Sequence, residues 1–429
     1  MKTIYRVASA ALMSAAFVSA AHSADALKVW MRYGDNEKLV LEEITKDFTK
    51  KTGIPVDLFL ANTDFETRLA RAAVGGSLPD LIVNDATMMG QLLDMGIAKE
   101  IDRAALKGRD ELYDVAWQSV QAPDGKYYGV PTSAQAFAVY IRKDWREKLG
   151  YDVPKTWEDL FKLAKAFTED DPDGDGKADT YGYVMPLSGT RGYATWFLSD
   201  LIWQAGGDFL KKQGEGYVSS LGTPEVAKAV SFARDFVCKG YAQPSAITAT
   251  TGDATPVFAS GQAGIYRSGP YHLAPFSKEP GRDVIEVIPP PAGPAGQAEL
   301  AEGEAAFIMA STTQEDAAKT FIEYLISAEG QKAGMAVGIQ SSPIVRLSIN
   351  KNVDVTKVQP DAAWGTFSQL YASSGRYFPR VPNWKPIRQM TADGFNAILS
   401  DCASDVPSGL SAIDVAVNEE LGKQGVLAK

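Results

Sequence analysis

From Leu27 onward the chain alternates short apolar runs with longer amphipathic ones, and this rhythm limits the fold more than any other feature. Leu27–Met31 is apolar enough for a strand. Over Asn36–Lys51, Leu39, Ile44 and Phe48 recur among charges at helical spacing, and Gly53 follows as a stop. Ile54–Leu60 is again strand-like, Asp64–Val74 is helical up to Gly75-Gly76, and Leu81–Val83 is a buried strand after Pro79-Asp80. A βαβαβ succession of this kind predicts an α/β fold, with a mainly parallel sheet covered by helices on both faces. Ligands of such sheets sit beyond the carboxyl ends of the strands. The loops to watch are therefore Arg32–Asp35, Ala61–Asp64 and Asn84–Thr87.

A second α/β unit starts near Ala138. After Pro154, the Thr156 hydroxyl is placed to cap a helix whose first turn holds Asp159, and the periodicity carries that helix to about Phe167. Trp196–Gln204 and Pro224–Lys239 read as helices and Ile285–Ile288 as a strand. The Pro/Gly loop from Pro289 to Gly296 has no capacity for either. Ala305–Met309 returns as a strand, Thr313–Ser327 as a helix, and the chain from Pro360 on is helical.

At 429 residues the chain exceeds what one core usually holds, so two domains are expected. A net charge of −10 excludes nucleic acid as a partner on bulk electrostatics. His22 and His272 are the only imidazoles, which weakens metal and triad chemistry. Lys2 and Arg6 precede an Ala-rich apolar run, Val7 to Ala21, with Ala21 and Ser23 at the −3 and −1 positions of a cut before Ala24. This is the pattern of a secretory signal peptide over 1–23, too short for a membrane span. Its removal takes two cations and no anion, leaving −12. In an oxidising compartment Cys238 and Cys402 could pair, and two buried thiols are an equal alternative.

Five blocks occur in one order along the chain: Gly125-Lys126-Tyr127-Tyr128-Gly129-Val130-Pro131, Tyr140-Ile141-Arg142-Lys143-Asp144, Pro154-Lys155-Thr156-Trp157-Glu158-Asp159-Leu160, Phe258 to Ala263 with Ser268-Gly269-Pro270-Tyr271, and Ala317 to Gln331. With these the chain resembles the family 1 extracellular solute-binding proteins, the group of maltose-binding protein and other sugar receptors of ABC importers. The resemblance implies a two-lobed periplasmic-binding-protein fold, hinge-connected, that closes on a carbohydrate. It implies a periplasmic location, ABC permease subunits as partners, and a monomer. By position the lobes would comprise 24–134 with 305–347, and 138–302 with 350–429. Crossings would lie near Thr132–Ala136, Gly303–Ala306 and Ile344–Asn350.

Sugar recognition needs flat apolar faces and many polar groups. Tyr271, after Gly269-Pro270, falls where the family places an aromatic platform. Trp196, behind a flexible Ser188–Gly192 stretch, and Trp384, beside Pro382-Asn383, are either platforms or core residues. Asn84 and Asp85 follow a strand end, and Gln135 sits at the first crossing. Asp64 opens a helix and reads more simply as its cap. Arg32, Arg191 and Arg267 could meet an acidic sugar directly, or orient Asp85 and Glu302 toward a neutral one.

Asp171, Asp173, Asp175 and Asp179, with the Lys177 carbonyl and Gly176, match a calcium loop at positions 1, 3, 5, 9, 7 and 6. Gly182 stands where the bidentate acid belongs, so the alternatives are one structural Ca2+ and a solvated acidic turn. For the whole chain the rival class is a secreted glycosidase or lyase using paired carboxylates. No catalytic motif supports it.

Overall fold

The computed structural model describes residues 25–61, 64–335 and 343–429, so the leader expected over 1–23 lies outside the described residues. Nine strands build two sheets. In chain order they are β1 (Leu27–Met31), β2 (Val56–Leu60), β3 (Leu81–Asp85), β4 (Val130–Gln135), β5 (Ala138–Arg142), β6 (Tyr181–Val184), β7 (Ala263–Ser268), β8 (Ile285–Ile288) and β9 (Glu302–Ile308). The first sheet has the order β2-β1-β3-β9-β4 and the second β8-β5-β7-β6. β1 is parallel to β2 and β3, while β9 runs against both β3 and β4. β5 runs against β8 and β7, and β7 is parallel to β6. Each sheet thus keeps one direction apart from a single reversed strand.

Both reversed strands belong to the chain's passages between sheets. β4 ends at Gln135, and after Ala136-Phe137 the chain opens the second sheet with β5. It returns through Glu299-Leu300, which pairs with Gly375-Arg376, and enters β9. β9 begins at Glu302, earlier than the apolar run from Ala305 suggests, because Glu302, Gly303 and Glu304 pair with Gln135, Ala134 and Ser133. Gly303 is required there: a Cβ would come 2.0 Å from the Ser133 carbonyl oxygen. Leu347 also bridges to Ala134, so three chain segments lie side by side at the crossing. The segment Ile344–Asn350 stays with the first lobe, since Tyr113 N–H donates to the Ile349 carbonyl at 2.9 Å. The chain has reached the second lobe by Asp361, whose two carboxylate oxygens accept from Nε and Nη2 of Arg282.

Local signals explain the helices. Asp35–Thr52 stops at Gly53 with φ 75°, a conformation a glycine tolerates without strain. Trp157–Glu169 starts with a reciprocal box: Thr156 Oγ1 accepts from Asp159 N–H at 3.2 Å, and Asp159 accepts from Thr156 N–H at 3.1 Å. Phe48 packs edge-on against Phe321 (4.8 Å) under the first sheet, and Trp30 meets Phe59 (5.0 Å) on its other face. In the second sheet Tyr140 lies among Phe258, Phe276 and Phe367. A disulfide joins Cys238, at the end of helix Pro224–Cys238, to Cys402. Three helices, Ala363–Ser374, Trp384–Ser400 and Val406–Lys423, finish the chain.

Candidate functional site

The carboxyl end of β3 and the start of β9 meet the C-terminal segment around Trp384 across a cleft between the lobes. Two adjoining hollows of about 780 and about 1600 Å3, open to solvent, share Asp85, Thr87 and Trp384 in their walls. Beside them the lobes touch. Asn383 Nδ2 donates to Asp94 at 2.8 Å and Arg380 to Gln121 at 2.5 Å. The helix Met89–Asp94 approaches so closely that a Cβ on Gly90 would come 2.2 Å from the Pro382 carbonyl.

A polar chain crosses the three hinge segments. Arg346 donates to Gln135 Oε1 at 2.7 Å, Gln135 Nε2 donates to Glu302 at 3.0 Å, and Arg346 pairs with Glu304 at 3.3 Å. Burial and the nearby Asp85 charge push the Glu302 carboxyl up to about 7. Its site therefore favours the protonated acid more than water does. Asp85 is held by Arg32, whose Nε also donates to Asn84 Oδ1 at 2.8 Å. Asn84 is buried, and its carbonyl also accepts from Asp85 N–H at 2.7 Å.

The structure brings most of the expected site residues together. Asn84, Asp85, Gln135, Arg191, Trp196, Glu302 and Trp384 all line the cleft. Arg32 stands one layer back as the partner of Asp85. Tyr271 also stands behind the wall, its ring 5.5 Å from the Arg346 guanidinium and its hydroxyl accepting from Ser268 Oγ at 3.3 Å. Two residues are placed elsewhere. Arg267 is a core residue: it pairs with Asp200 at 3.0 Å and with Glu299, all three side chains being at most 4% exposed, and lies over Phe137 at 4.8 Å. Within this triad burial raises Glu299 and Asp200 against the pull of the guanidinium. Asp64 precedes the helix Phe65–Val74 at the surface and pairs with Arg68 at 2.6 Å, without a side-chain cap bond. His272 is buried between Ser268 and Thr255 hydroxyls and held neutral, its pKa lowered to about 3 by desolvation.

Sequence reasoning missed Glu304, Arg346, Arg380 and Arg388. Arg388 follows Trp384 by four residues, the spacing that puts both on one helix face, and this was the available signal. Its guanidinium lies 4.9 Å from the Trp196 ring. The indole N–H groups of Trp196 and Trp384 are both buried without an acceptor.

Away from the cleft, Asp171, Asp173 and Asp175 each bring an oxygen into one group within 4.8 Å. Asp179 is outside that group, and the Lys177 ammonium binds Asp175 at 2.6 Å. Asp171 also accepts from the Gly174 and Gly176 amides.

Two α/β lobes joined by adjacent crossings, with a polar and aromatic cleft between them, define a bilobal ligand-binding protein. The model of the bacterial extracellular solute-binding protein family matches residues 34–332, and the chain belongs to that family. The polygalacturonan/rhamnogalacturonan-binding protein YtcQ of Bacillus subtilis is 27% identical over 255 residues, 55% of this chain and 48% of that protein. The fructooligosaccharide ABC transporter substrate-binding protein FusA of Streptococcus pneumoniae is 30% identical over 164 residues, 34% of this chain and 30% of that one. The match thus spans less than half the length of either. The GacH receptor of Streptomyces glaucescens, solved unliganded and with acarbose, superposes with a TM-score of 0.76 at 19% identity, over 93% of this chain and 98% of that one. The shared property at that identity is the fold.

Proposed function

We propose that this protein is the carbohydrate receptor of an ABC importer, exported to the periplasm as a monomer after loss of residues 1–23, which captures a sugar or oligosaccharide and hands it to the permease without altering it. The observation that carries this is the cleft. Its walls come from both lobes, it is lined by Trp196 and Trp384, and its floor is the Arg346–Gln135–Glu302 chain laid across the hinge segments. Only a closed state offers a ligand both walls, so binding shifts an open–closed equilibrium. The names of the relatives, binders of polygalacturonan/rhamnogalacturonan and fructooligosaccharide, support a saccharide, as does the acarbose complex. Among the described residues no helix is long and apolar enough to cross a membrane. The lobes would move as 24–134 with 305–350 against 138–302 with the chain from Asp361 on, the small strand start at Glu302 going with the hinge.

The Asp171–Asp175 group fits a hard cation through three carboxylates. In this reading a structural Ca2+ replaces Lys177 as the partner of Asp175 and leaves the cleft untouched. A thermal-shift screen of neutral sugars, polyols and sugar acids tests the receptor reading, followed by product analysis of each stabilising sugar. A sugar that raises the melting temperature and is recovered intact supports it. Its conversion to shorter products, or no response to any saccharide, overturns it.

A further inference from the structure

The cleft is lined by more cationic side chains than anionic ones. Asp85 is taken by Arg32, Glu304 by Arg346, and Glu302 by Gln135. Arg191, Arg380 and Arg388 also line the two hollows, and none of them forms an ion pair among the described residues. Arg380 reaches only the neutral Gln121. Arg388 is half-buried with its plane near Trp196, and desolvation lowers its pKa against the pull of Glu302 and Asp85. Arg191 is close enough to lower it further, and it is held in the left-handed region at φ 54°, which costs a non-glycine residue energy. Trp196 and Trp384, whose indole N–H groups are buried without an acceptor, line the same hollow.

A half-buried guanidinium without a counter-ion is costly, and the remedy that geometry favours is a planar oxyanion taken by the fork. Two arginines without an anionic partner ask for a ligand carrying negative charge, and the aromatic wall of Trp196 and Trp384 suits a sugar ring. Resting on the sugar-receptor reading, we propose that the hollow between the end of β3 and the first turns of helix Trp384–Ser400 takes an anionic sugar, a uronic acid residue whose carboxylate is held by Arg388 with Arg191. Sequence reasoning pointed to Arg32, Arg191 and Arg267 for this role. The structure leaves only Arg191 of the three unpaired in the cleft.

Calorimetry with galacturonate and glucuronate disaccharides tests this, each set beside its methyl ester and its neutral parent sugar. The ester keeps the shape and removes the charge. At least one free acid should bind about tenfold or more tighter than its ester, the range for a hydrogen bond to a charged group, and added salt should weaken it. Arg388→Gln and the exposed Arg191→Gln should each erode that preference. Arg388→Lys should restore only part of it, since an ammonium lacks the planar fork. Circular dichroism of each variant separates a lost contact from a lost fold, and Arg191→Gln, at the surface, keeps the test alive if Arg388→Gln does not fold. Neutral sugars or esters binding as tightly as the acids would overturn the proposal and leave the receptor reading standing. So would an acid preference that survives both Gln variants. If no saccharide of either charge binds, both fall together.

Discussion

Glu302→Gln separates a functional carboxyl from a passive one through its dependence on pH. In the native state Glu302 is raised from 4.5 to about 7 by burial, with Asp85 adding to the effect. The folded protein therefore keeps a proton that the unfolded chain releases, and the unfolded chain binds fewer protons throughout that window. Stability must fall as pH rises from about 4.5 to about 7 and level off above it. At about 1.36 kcal/mol per pH unit the ceiling is about 3.4 kcal/mol. Water in the open cleft screens part of this, so about 1–2 kcal/mol is the expected size. Glutamine copies the protonated acid and can still face Gln135, so the variant should escape the loss. Wild type and Glu302→Gln should melt within about 1 °C of each other at pH 4, below the window. At pH 8 the variant should melt about 2–8 °C higher, from about 2–4 °C per kcal/mol for a unit of this size. Scanning calorimetry at the two pH values reads it directly, and other titrating groups cancel in the comparison. A variant that gains nothing at pH 8, or gains equally at both, refutes the argument.

Arg267→Ala should destabilise by about 3–5 kcal/mol in urea unfolding, because it strands Asp200 and Glu299 in the core, whereas a cleft arginine would cost binding and little stability. Reduction, or Cys402→Ser, should lower stability by about 2–5 kcal/mol, since the disulfide closes a separation of 164 residues; a melting temperature indifferent to reductant would contradict the bond's structural role. Chelator should lower the melting temperature and calcium, not magnesium, should restore it, with sugar affinity unchanged, if Asp171, Asp173 and Asp175 hold Ca2+; a curve blind to chelator leaves a plain acidic turn.

Local chemistry was readable along the chain, and juxtaposition was not. The strand Leu27–Met31, the Gly53 stop and the Thr156 box depend on neighbours within a few residues, and each stands where its pattern placed it. Asn84 and Asp85 were legible as cleft residues because strand ends of α/β sheets face ligands, and Gln135 because the family resemblance puts the first crossing there. Arg267 misled because its partners, Asp200 and Glu299, come from other elements, and nothing near Arg267 in sequence shows that it is already satisfied. Arg346 and Glu304 are paired by the third hinge segment, which reaches Gln135 from more than two hundred residues away. The early start of β9 escaped for a similar reason: polar Glu302 and Glu304 are strand residues because β4 pairs with them, against their own low strand propensity.

The central claim, a two-lobed receptor that closes on a sugar, is tested most directly by small-angle X-ray scattering of the purified protein with and without a saturating sugar from the thermal-shift screen. Closure about the crossings at Gln135, Glu302 and Arg346 should shrink the radius of gyration on binding, and the change should reverse when the sugar is dialysed away. A radius unchanged at saturation, with binding confirmed by calorimetry in the same sample, would contradict it.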